Sequence, residues 1–334
     1  MSVFLSCSST QKAAPVTHFR GFAHTMPYHI QIGRPLSAAE KKQVTIAIHG
    51  VLTTVDRVYN HWNAQSELSF LNATPADQPL SLSPELYQLL DLARSISNLT
   101  DGRFDPTLGK VIAQWKEHLI AGELPTHQKL TECATGWELI EFDAHSVTKK
   151  ITDLQLDLDG IAKGYAIDQL AQAFSHLGIT QFYINWGGDL RIMGCHPEKR
   201  PWQVLLPQFR ISHDPACRLS LTSGGLATSG DYEQAWTIDA TTYSHIIDPT
   251  TKTAITRSNN SLAAVTIYAP TCALADAIAT AAMTFPSSQE LLFWIETLQQ
   301  TYPDLRCWVL SYDKEPKAAK ASFREASVST IGNG

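Results

Sequence analysis

The sequence lacks a strong charge bias and any long hydrophobic segment, and both absences exclude classes of protein. Lys and Arg total 26 against 32 Asp and Glu, and the formal net charge of the 334 residues is -6. Proteins that bind nucleic acid usually carry a basic stripe with interleaved aromatic residues, which this sequence does not have. No apolar run approaches the roughly 18 residues that cross a bilayer. Neither a nucleic-acid partner nor a membrane-spanning segment is therefore expected.

The cysteines also lack any spacing that is typical of a metal site. The six cysteines form no CxxC pair and no ligand spacing with histidine, so most are expected to be buried small hydrophobic residues. Cys7 differs, because residues 3–12 are similar to the end of a bacterial lipoprotein signal, although its charged and long apolar parts are missing. In one interpretation, residues 1–17 are a tether, Cys7 carries a lipid, and the protein lies on the periplasmic face of the inner membrane. In the other, Cys7 is a surface thiol, and the protein is cytoplasmic if Met1 is the true start.

The hydrophobic pattern predicts both helices and strands. Apolar residues make up 44% of the chain, which is enough for a large core. Helices are predicted over residues 44–62, 84–98, 105–115, 272–284 and 287–300, and strands over 18–33, 180–186, 189–194, 202–206, 218–222, 235–239, 262–268 and 305–312. The two types do not alternate strictly, so an α+β fold is preferred to a doubly wound sheet. Residues 18–312 are expected to form one large unit, and 313–334 a mobile tail.

Residues 156–168, LDLDGIAKGYAID, form the most informative segment. They are predicted to run as a strand to Leu158, turn at Gly160 and continue as a helix that stops at Gly178. Such a helix N-terminus offers backbone N–H groups and a positive dipole to an anion, and the glycine permits close approach. Asp157 and Asp159 add carboxylates that can hold a metal or a sugar hydroxyl. The corner suits a nucleotide, but an ordinary turn with exposed charges explains the segment equally well.

Two further segments carry candidate chemistry. His245 lies in an apolar predicted strand near a polar loop at residues 228–231, although such a histidine is more often a satisfied core residue. Asp276 and Thr280 lie four residues apart on one face of an alanine-rich helix, where a carboxylate and a hydroxyl suit Mg²⁺. Alone, that helix is better explained by close packing of small residues.

Two turns are interpreted structurally on their own. Asp105 precedes a predicted helix and is expected to be its N-cap. Gly187 and Gly188 separate two predicted strands and are expected to form a hairpin turn.

Together, these segments resemble the ApbE family of flavin transferases, also called FAD:protein FMN transferases. The resemblance runs in order from about residue 18 to 312, through Thr25-Met26, WNAQSELSFLN at 62–72, DGRFDPT at 101–107, DLDGIAKGY at 157–165, GGD at 187–189, SGDY at 229–232, SHIIDP at 244–249 and ADAIAT at 275–280. It implies an ApbE-like, T-fold-related unit of mixed sheets packed with helices. It also implies transfer of FMN from FAD to a threonine or serine hydroxyl of an acceptor protein, with release of AMP.

The resemblance implies roles for individual residues as well. Mg²⁺ would be held by Asp276, Thr280 and the main chain of Gly160, and His245 and Asp276 would serve catalysis. The residues implied to contact FAD are Met26, Trp62, Arg103, Phe104, Asp105, Asp157, Lys163, His245 and Ile246. The implied acceptor is a quinone reductase or another electron-transport subunit. A hydrolase that cuts FAD to FMN and AMP, or a flavin-binding lipoprotein without turnover, are the alternatives.

The sequence departs from the family pattern at two places. Asp159 replaces the first glycine of the usual Asp-Leu-Gly-Gly, which adds a charge near the implied metal. After Asp248-Pro249, the family usually has Gly-x-Pro, and here Lys252 and Ala254 occupy those places. Neither change removes an implied metal ligand.

Overall fold

The computed structural model describes residues 15–206, 218–232 and 234–312, and the backbone of 321–325. Cys7, and with it the predicted lipid attachment site, lies outside these residues. The helices of the described chain are α1 (Ala38–Thr54), α2 (Glu67–Ala73), α3 (Pro84–Leu99), α4 (Gly109–Ala121), α5 (His127–Glu132), α6 (Asp159–His176), α7 (Cys272–Ala282) and α8 (Ser288–Leu298). A π-helical turn, Val55–Tyr59, extends α1, and a 3₁₀ turn covers Trp137–Leu139. Within these residues, no helix is both long and apolar enough to cross a membrane.

Within the described residues, the strands form one large sheet and three small ones. They are β1 (Thr17–Ala23), β2 (Met26–Ile32), β3 (Leu80–Ser81), β4 (Ile140–Phe142), β5 (Ser146–Lys149), β6 (Phe182–Trp186), β7 (Asp189–Met193), β8 (Trp202–Leu205), β9 (Arg218–Leu221), β10 (Ser223–Gly230), β11 (Ala235–Ile238), β12 (Thr241–Asp248), β13 (Thr253–Thr256), β14 (Leu262–Ala269), β15 (Arg306–Tyr312) and β16 (Ala321–Glu325). The large sheet has the order β1-β2-β6-β7-β10-β14-β15-β16, with antiparallel neighbours throughout. The small sheets are β11-β12-β13, β3-β5-β4 and β8-β9.

The large sheet is covered on both faces in its middle. Helices α6 and α7 pack against each other, and α7 lies against β10 and β14. On the other face, Trp202 and Val204 of the β8-β9 hairpin share a cluster with Leu190 and Ile192 of β7. This double cover explains why β14 is buried at nearly every position.

Two hydrophobic cores meet beside the β12 strand. The larger core contains the buried residues of α1, α3, α6 and α7. A smaller core joins α4 and α5 to the β11-β12-β13 sheet through Trp115, Leu130 and Ile247. The β12 strand serves both, because Ile246 packs into the larger core and Ile247 into the smaller one.

The predicted α+β fold is confirmed, and several predicted elements have the expected bounds within a few residues. Residues 18–33 form a hairpin instead of one strand, with the turn at His24 and Thr25, which both have positive φ. The predicted helix over 44–62 begins earlier, because Ser37 and Glu40 form a capping box before α1. It also ends earlier, at Tyr59, so Trp62 lies in a loop.

Three local predictions around the site were wrong. Asp105 is not the N-cap of α4: its Oδ1 accepts hydrogen bonds from the Thr107 N–H at 2.9 Å and hydroxyl at 2.6 Å, and the helix starts only at Gly109. Residues 156–158 form no strand, because the Asn72 side chain bonds both backbone groups of Leu156. The polar residues 228–230 belong to β10 instead of a loop. The tail from residue 313 includes β16, and its mobility stays a prediction.

Candidate active site

The predicted site residues line one large cavity. Its volume is about 1330 Å³, and it lies between α6, α7, α4 and the end of β12. The predicted residues that line it are Met26, Trp62, Arg103, Phe104, Asp105, Asp157, Gly160, Lys163, His245, Ile246, Asp276 and Thr280. Their individual roles stay predictions, but the fold brings together groups that lie up to about 250 residues apart in the sequence.

One corner of the cavity collects Gly160, Asp276 and Thr280. The Asp276 carboxylate accepts a hydrogen bond from the Gly164 N–H at 2.9 Å, which ties α7 to α6. In a regular helix, that N–H serves the Gly160 carbonyl, so the Asp276 carboxylate and the Gly160 carbonyl meet at the same donor. A Cβ on Gly160 would lie 3.0 Å from Thr280 Oγ1, which is tighter than ordinary contact, so the backbone of α6 approaches the hydroxyl closely here.

These groups fit a small hard cation. A carboxylate, a hydroxyl and a backbone carbonyl are the oxygen ligands that Mg²⁺ prefers, and few of them are needed because water and phosphate complete the shell. Ser229 Oγ also lies 3.3 Å from Thr280 Oγ1, which adds another oxygen to the corner.

A buried network of charges surrounds this corner. Lys163 Nζ lies 2.9 Å from Asp189 Oδ2, and Asp189 also accepts a hydrogen bond from the Thr228 N–H at 3.3 Å. Burial lowers the pKa of Lys163, but Asp189 and Asp276 outweigh it, so the lysine pKa lies above its usual value. Burial and the Asp189 charge raise the pKa of Asp276 to about 7, although Lys163 opposes the rise. A bound cation would favour the ionised carboxylate.

The start of α6 presents a second group of charges. The Asp157 Oδ1 accepts a hydrogen bond from the Asp159 N–H at 2.9 Å, and burial together with the Asp159 charge raises the pKa of Asp157 to about 6. His61 Nδ1 lies 3.3 Å from Asp159 Oδ1. Burial lowers the pKa of His61, but Asp159 and Asp157 outweigh it, so the histidine pKa lies above its usual value. The positive end of the helix dipole is thus partly balanced by carboxylates.

A turn at Arg103 and the β6-β7 hairpin form two further parts of the cavity wall. The Arg103 guanidinium lies 3.8 Å from the centre of the Phe285 ring and donates to Thr284 Oγ1 at 3.1 Å, which holds the turn against the residues that follow α7. Phe104 is buried beneath it. At the hairpin, the positive φ of Gly187 and its closeness to Met26 leave no room for a side chain.

His245 approaches the cavity from β12. Its side chain is exposed, and Nδ1 lies 3.3 Å from the Gln234 carbonyl oxygen. Because a carbonyl can only accept, Nδ1 carries the proton in this contact, and a neutral ring then has its proton-accepting lone pair on Nε2.

Sequence reasoning missed several residues that shape the site. Asp189 was seen only as the end of a glycine turn, and its ion pair with Lys163 joins residues of different elements. His61 and Lys116 were not identified, although His61 precedes the aromatic Trp62. Asp168 was missed too: its carboxylate accepts from the Cys272 and Ala273 N–H groups at 3.0 and 2.8 Å and caps α7.

Comparisons with known proteins identify the family to which the chain belongs. The chain is 38% identical over 298 residues to a FAD:protein FMN transferase of Chlamydia muridarum, covering 87% of this chain and 91% of the relative. It is 28% identical over 288 residues to the Vibrio cholerae protein of the same name, covering 85% of each. A crystal structure titled flavin transferase ApbE from Vibrio cholerae superposes with a TM-score of 0.77 at 25% identity, covering 94% of this chain and 98% of that one. The model of the ApbE family matches residues 25–304, and the chain therefore belongs to the ApbE family.

Proposed function

We propose that the protein transfers FMN from FAD to a threonine or serine hydroxyl of an acceptor protein in a Mg²⁺-dependent reaction that releases AMP. The observation that carries the proposal is the corner of Gly160, Asp276 and Thr280 beside the N-terminus of α6, inside a cavity large enough for a dinucleotide. The names of the relatives support the flavin substrate and the protein acceptor.

The chain's own residues account for binding of the diphosphate. The N-terminus of α6 attracts anions, and Lys163, which is paired with Asp189, adds a cationic group beside it. Asp276, Thr280 and the Gly160 carbonyl would hold the metal. Mg²⁺, when bound, supplies charge neutralisation at the phosphate oxygens.

The transfer itself needs a base for the acceptor hydroxyl. The hydroxyl oxygen forms a bond to the flavin-side phosphorus, the bond from this phosphorus to the bridging oxygen breaks, and AMP leaves with that oxygen. The hydroxyl proton passes to His245 Nε2, since Nδ1 is oriented by the Gln234 carbonyl. The same arrangement would serve hydrolysis if water replaced the acceptor hydroxyl.

Mass spectrometry of the acceptor distinguishes these possibilities. The protein is incubated with FAD, Mg²⁺ and a quinone-reductase-type subunit, and the acceptor is expected to gain the mass of FMN less one water while AMP appears. AMP and free FMN without that gain would indicate hydrolysis, and intact FAD would leave only binding. The His245→Asn variant should lose transfer and still bind FAD. His176→Asn, which changes an exposed histidine at the far end of α6, is the matched control.

We also propose, from residues 3–12, that a lipid on Cys7 anchors the enzyme at the periplasmic face of the inner membrane. Metabolic labelling with a radioactive fatty acid tests this: label on the full-length protein that disappears in Cys7→Ser supports it, and an unlabelled protein refutes it.

A further inference from the structure

A row of side chains crosses the mouth of the cavity. Asp159 at the start of α6 pairs with His61, whose ring centre lies 4.7 Å from that of Trp62. On α4, Lys116 Nζ lies 3.9 Å from the centre of the Trp62 ring. Trp62 is 68% exposed, so a large aromatic surface is presented at the cavity mouth.

The backbone beneath this row is fixed independently of it. The Trp62 N–H donates to Asn60 Oδ1 at 3.1 Å, and the Asn63 side chain donates to Asp56. Ser69 Oγ donates to the His61 carbonyl oxygen at 3.2 Å. The loop is therefore held by its own hydrogen bonds, whereas the direction of the Trp62 ring depends on what packs against it.

Asp159 stands at a place where its charge alone opposes binding. A carboxylate at the N-terminus of α6 repels an anionic diphosphate approaching that terminus. Asp159 also pairs with His61, and the His61 imidazole contacts the Trp62 ring. Asp159 can therefore act on the ligand through these two side chains.

We propose that Asp159 is a positioning residue, which holds the His61 imidazole so that Trp62 is presented as a stacking surface for one ring system of the bound dinucleotide. Lys116 supports the same ring from α4. The inference rests on the proposed function, since it takes a flavin-adenine dinucleotide as the ligand. In this proposal, Asp159, which replaces the glycine that is usual in the family, serves to position the ligand.

The ligand-type atoms of His61, Asp157 and Asp159 also lie within 4.8 Å of one another, an arrangement that a cation could bridge. The direct contact between the imidazole and the Asp159 carboxylate favours a pair without an ion. Measurements in EDTA separate the two, because a site that needs a cation loses its effect there.

Calorimetric binding of FAD, FMN and AMP in EDTA tests the proposal without turnover. Asp159→Asn keeps the shape of the side chain and removes its charge, and we expect it to weaken FAD about threefold to tenfold. The loss should fall on either FMN or AMP and spare the other, because one ring system stacks on Trp62. His61→Gln should have a similar effect, and adding Asp159→Asn to it should change little. The control is Asp91→Asn, which breaks a comparable exposed pair with Arg94 away from the cavity.

Tighter binding of FAD by Asp159→Asn would overturn the proposal. If Asp159 acted only as a charge beside the diphosphate, Asp159→Asn would tighten FAD with or without His61. Unchanged affinity, or equal weakening of FMN and AMP, would also overturn it. Failure of the unaltered protein to bind FAD both in EDTA and with Mg²⁺ present would instead refute the proposed function.

Discussion

Replacing Gly164 by alanine is the sharpest test of how the corner of Gly160, Asp276 and Thr280, the proposed metal site, is built. Helices α6 and α7 meet at this glycine, whose N–H donates to Asp276. A Cβ there would lie 2.5 Å from the Cys272 carbonyl oxygen and 2.8 Å from the Asp276 Cβ. Ordinary contact starts at 3.4 Å, so the helices must separate by about 0.9 Å, the difference from 2.5 Å.

The expected cost follows from two opposing contributions. Overpacking a tight contact costs about 1–3 kcal/mol, because the neighbours here are backbone atoms that cannot rotate away. Alanine regains about 0.5–1 kcal/mol over glycine in a helix. The free energy of unfolding should therefore fall by up to about 2.5 kcal/mol. Since a displacement near 1 Å can cost about 100-fold in rate, the rate of AMP release from FAD should fall by about that factor.

Urea unfolding followed by circular dichroism, together with AMP release, measures both effects. Gly50→Ala is the matched control, because Gly50 is an exposed glycine of α1 whose Cβ would meet no atom within 4 Å. It should stabilise the protein by up to about 1 kcal/mol and leave activity unchanged. If Gly164→Ala were as stable and as active as Gly50→Ala, the close approach of α6 and α7 would not hold the site.

Three further variants test the roles of Asp276, Thr280 and Lys149. The pKa of Asp276 is raised from 3.8 to about 7, so between these pH values the native state binds a proton that the unfolded state has lost, and the stability of the metal-free protein should fall as pH rises from about 4 to 7. Thermal unfolding in EDTA should show a shallower fall for Asp276→Asn than for the unaltered protein. An identical fall would contradict the raised pKa of Asp276. Thr280→Val should raise the Mg²⁺ concentration needed for half-maximal activity about tenfold or more, and an unchanged titration would remove its hydroxyl from the metal site. Lys149→Met should lower the free energy of unfolding in urea by at least about 2 kcal/mol, because the buried Lys149 Nζ donates to three carbonyl oxygens at 2.8 to 3.0 Å. The control Lys150→Met changes an exposed neighbour and should have little effect. Equal effects of the two variants would refute the role of those hydrogen bonds.

Local signals predicted much of the fold because they act over a few residues. Ser83 and Pro84 mark the start of α3 whatever the rest of the chain does, and Ser83 accepts the expected hydrogen bond from the Leu86 N–H. Asp105 failed as a cap because its carboxylate can satisfy a nearby turn just as well. Side-chain chemistry alone does not decide between these two uses.

The parts of the site that escaped prediction depend on long-range contacts. The polar residues Thr228 and Ser229 are typical of a loop, but they lie in β10, where β14 supplies partners such as Thr266 for Thr228 Oγ1 at 2.8 Å. The Lys163–Asp189 pair similarly joins a helix to a strand. Motif resemblance located the residues of the cavity, whereas these partners became visible only in three dimensions.

The placement of β12 between two cores has a consequence for how the enzyme can change. His245 is carried by a strand that is anchored on one side in the smaller core through Ile247, while Gly160 and Asp276 belong to helices of the larger core. Under the proposed function, substitutions around Trp115 would act on His245 through Ile247, whereas the proposed metal ligands lie on helices of the other core. We therefore expect acceptor choice, and the balance between a protein hydroxyl and water, to respond to changes in the smaller core more than cleavage of the dinucleotide does.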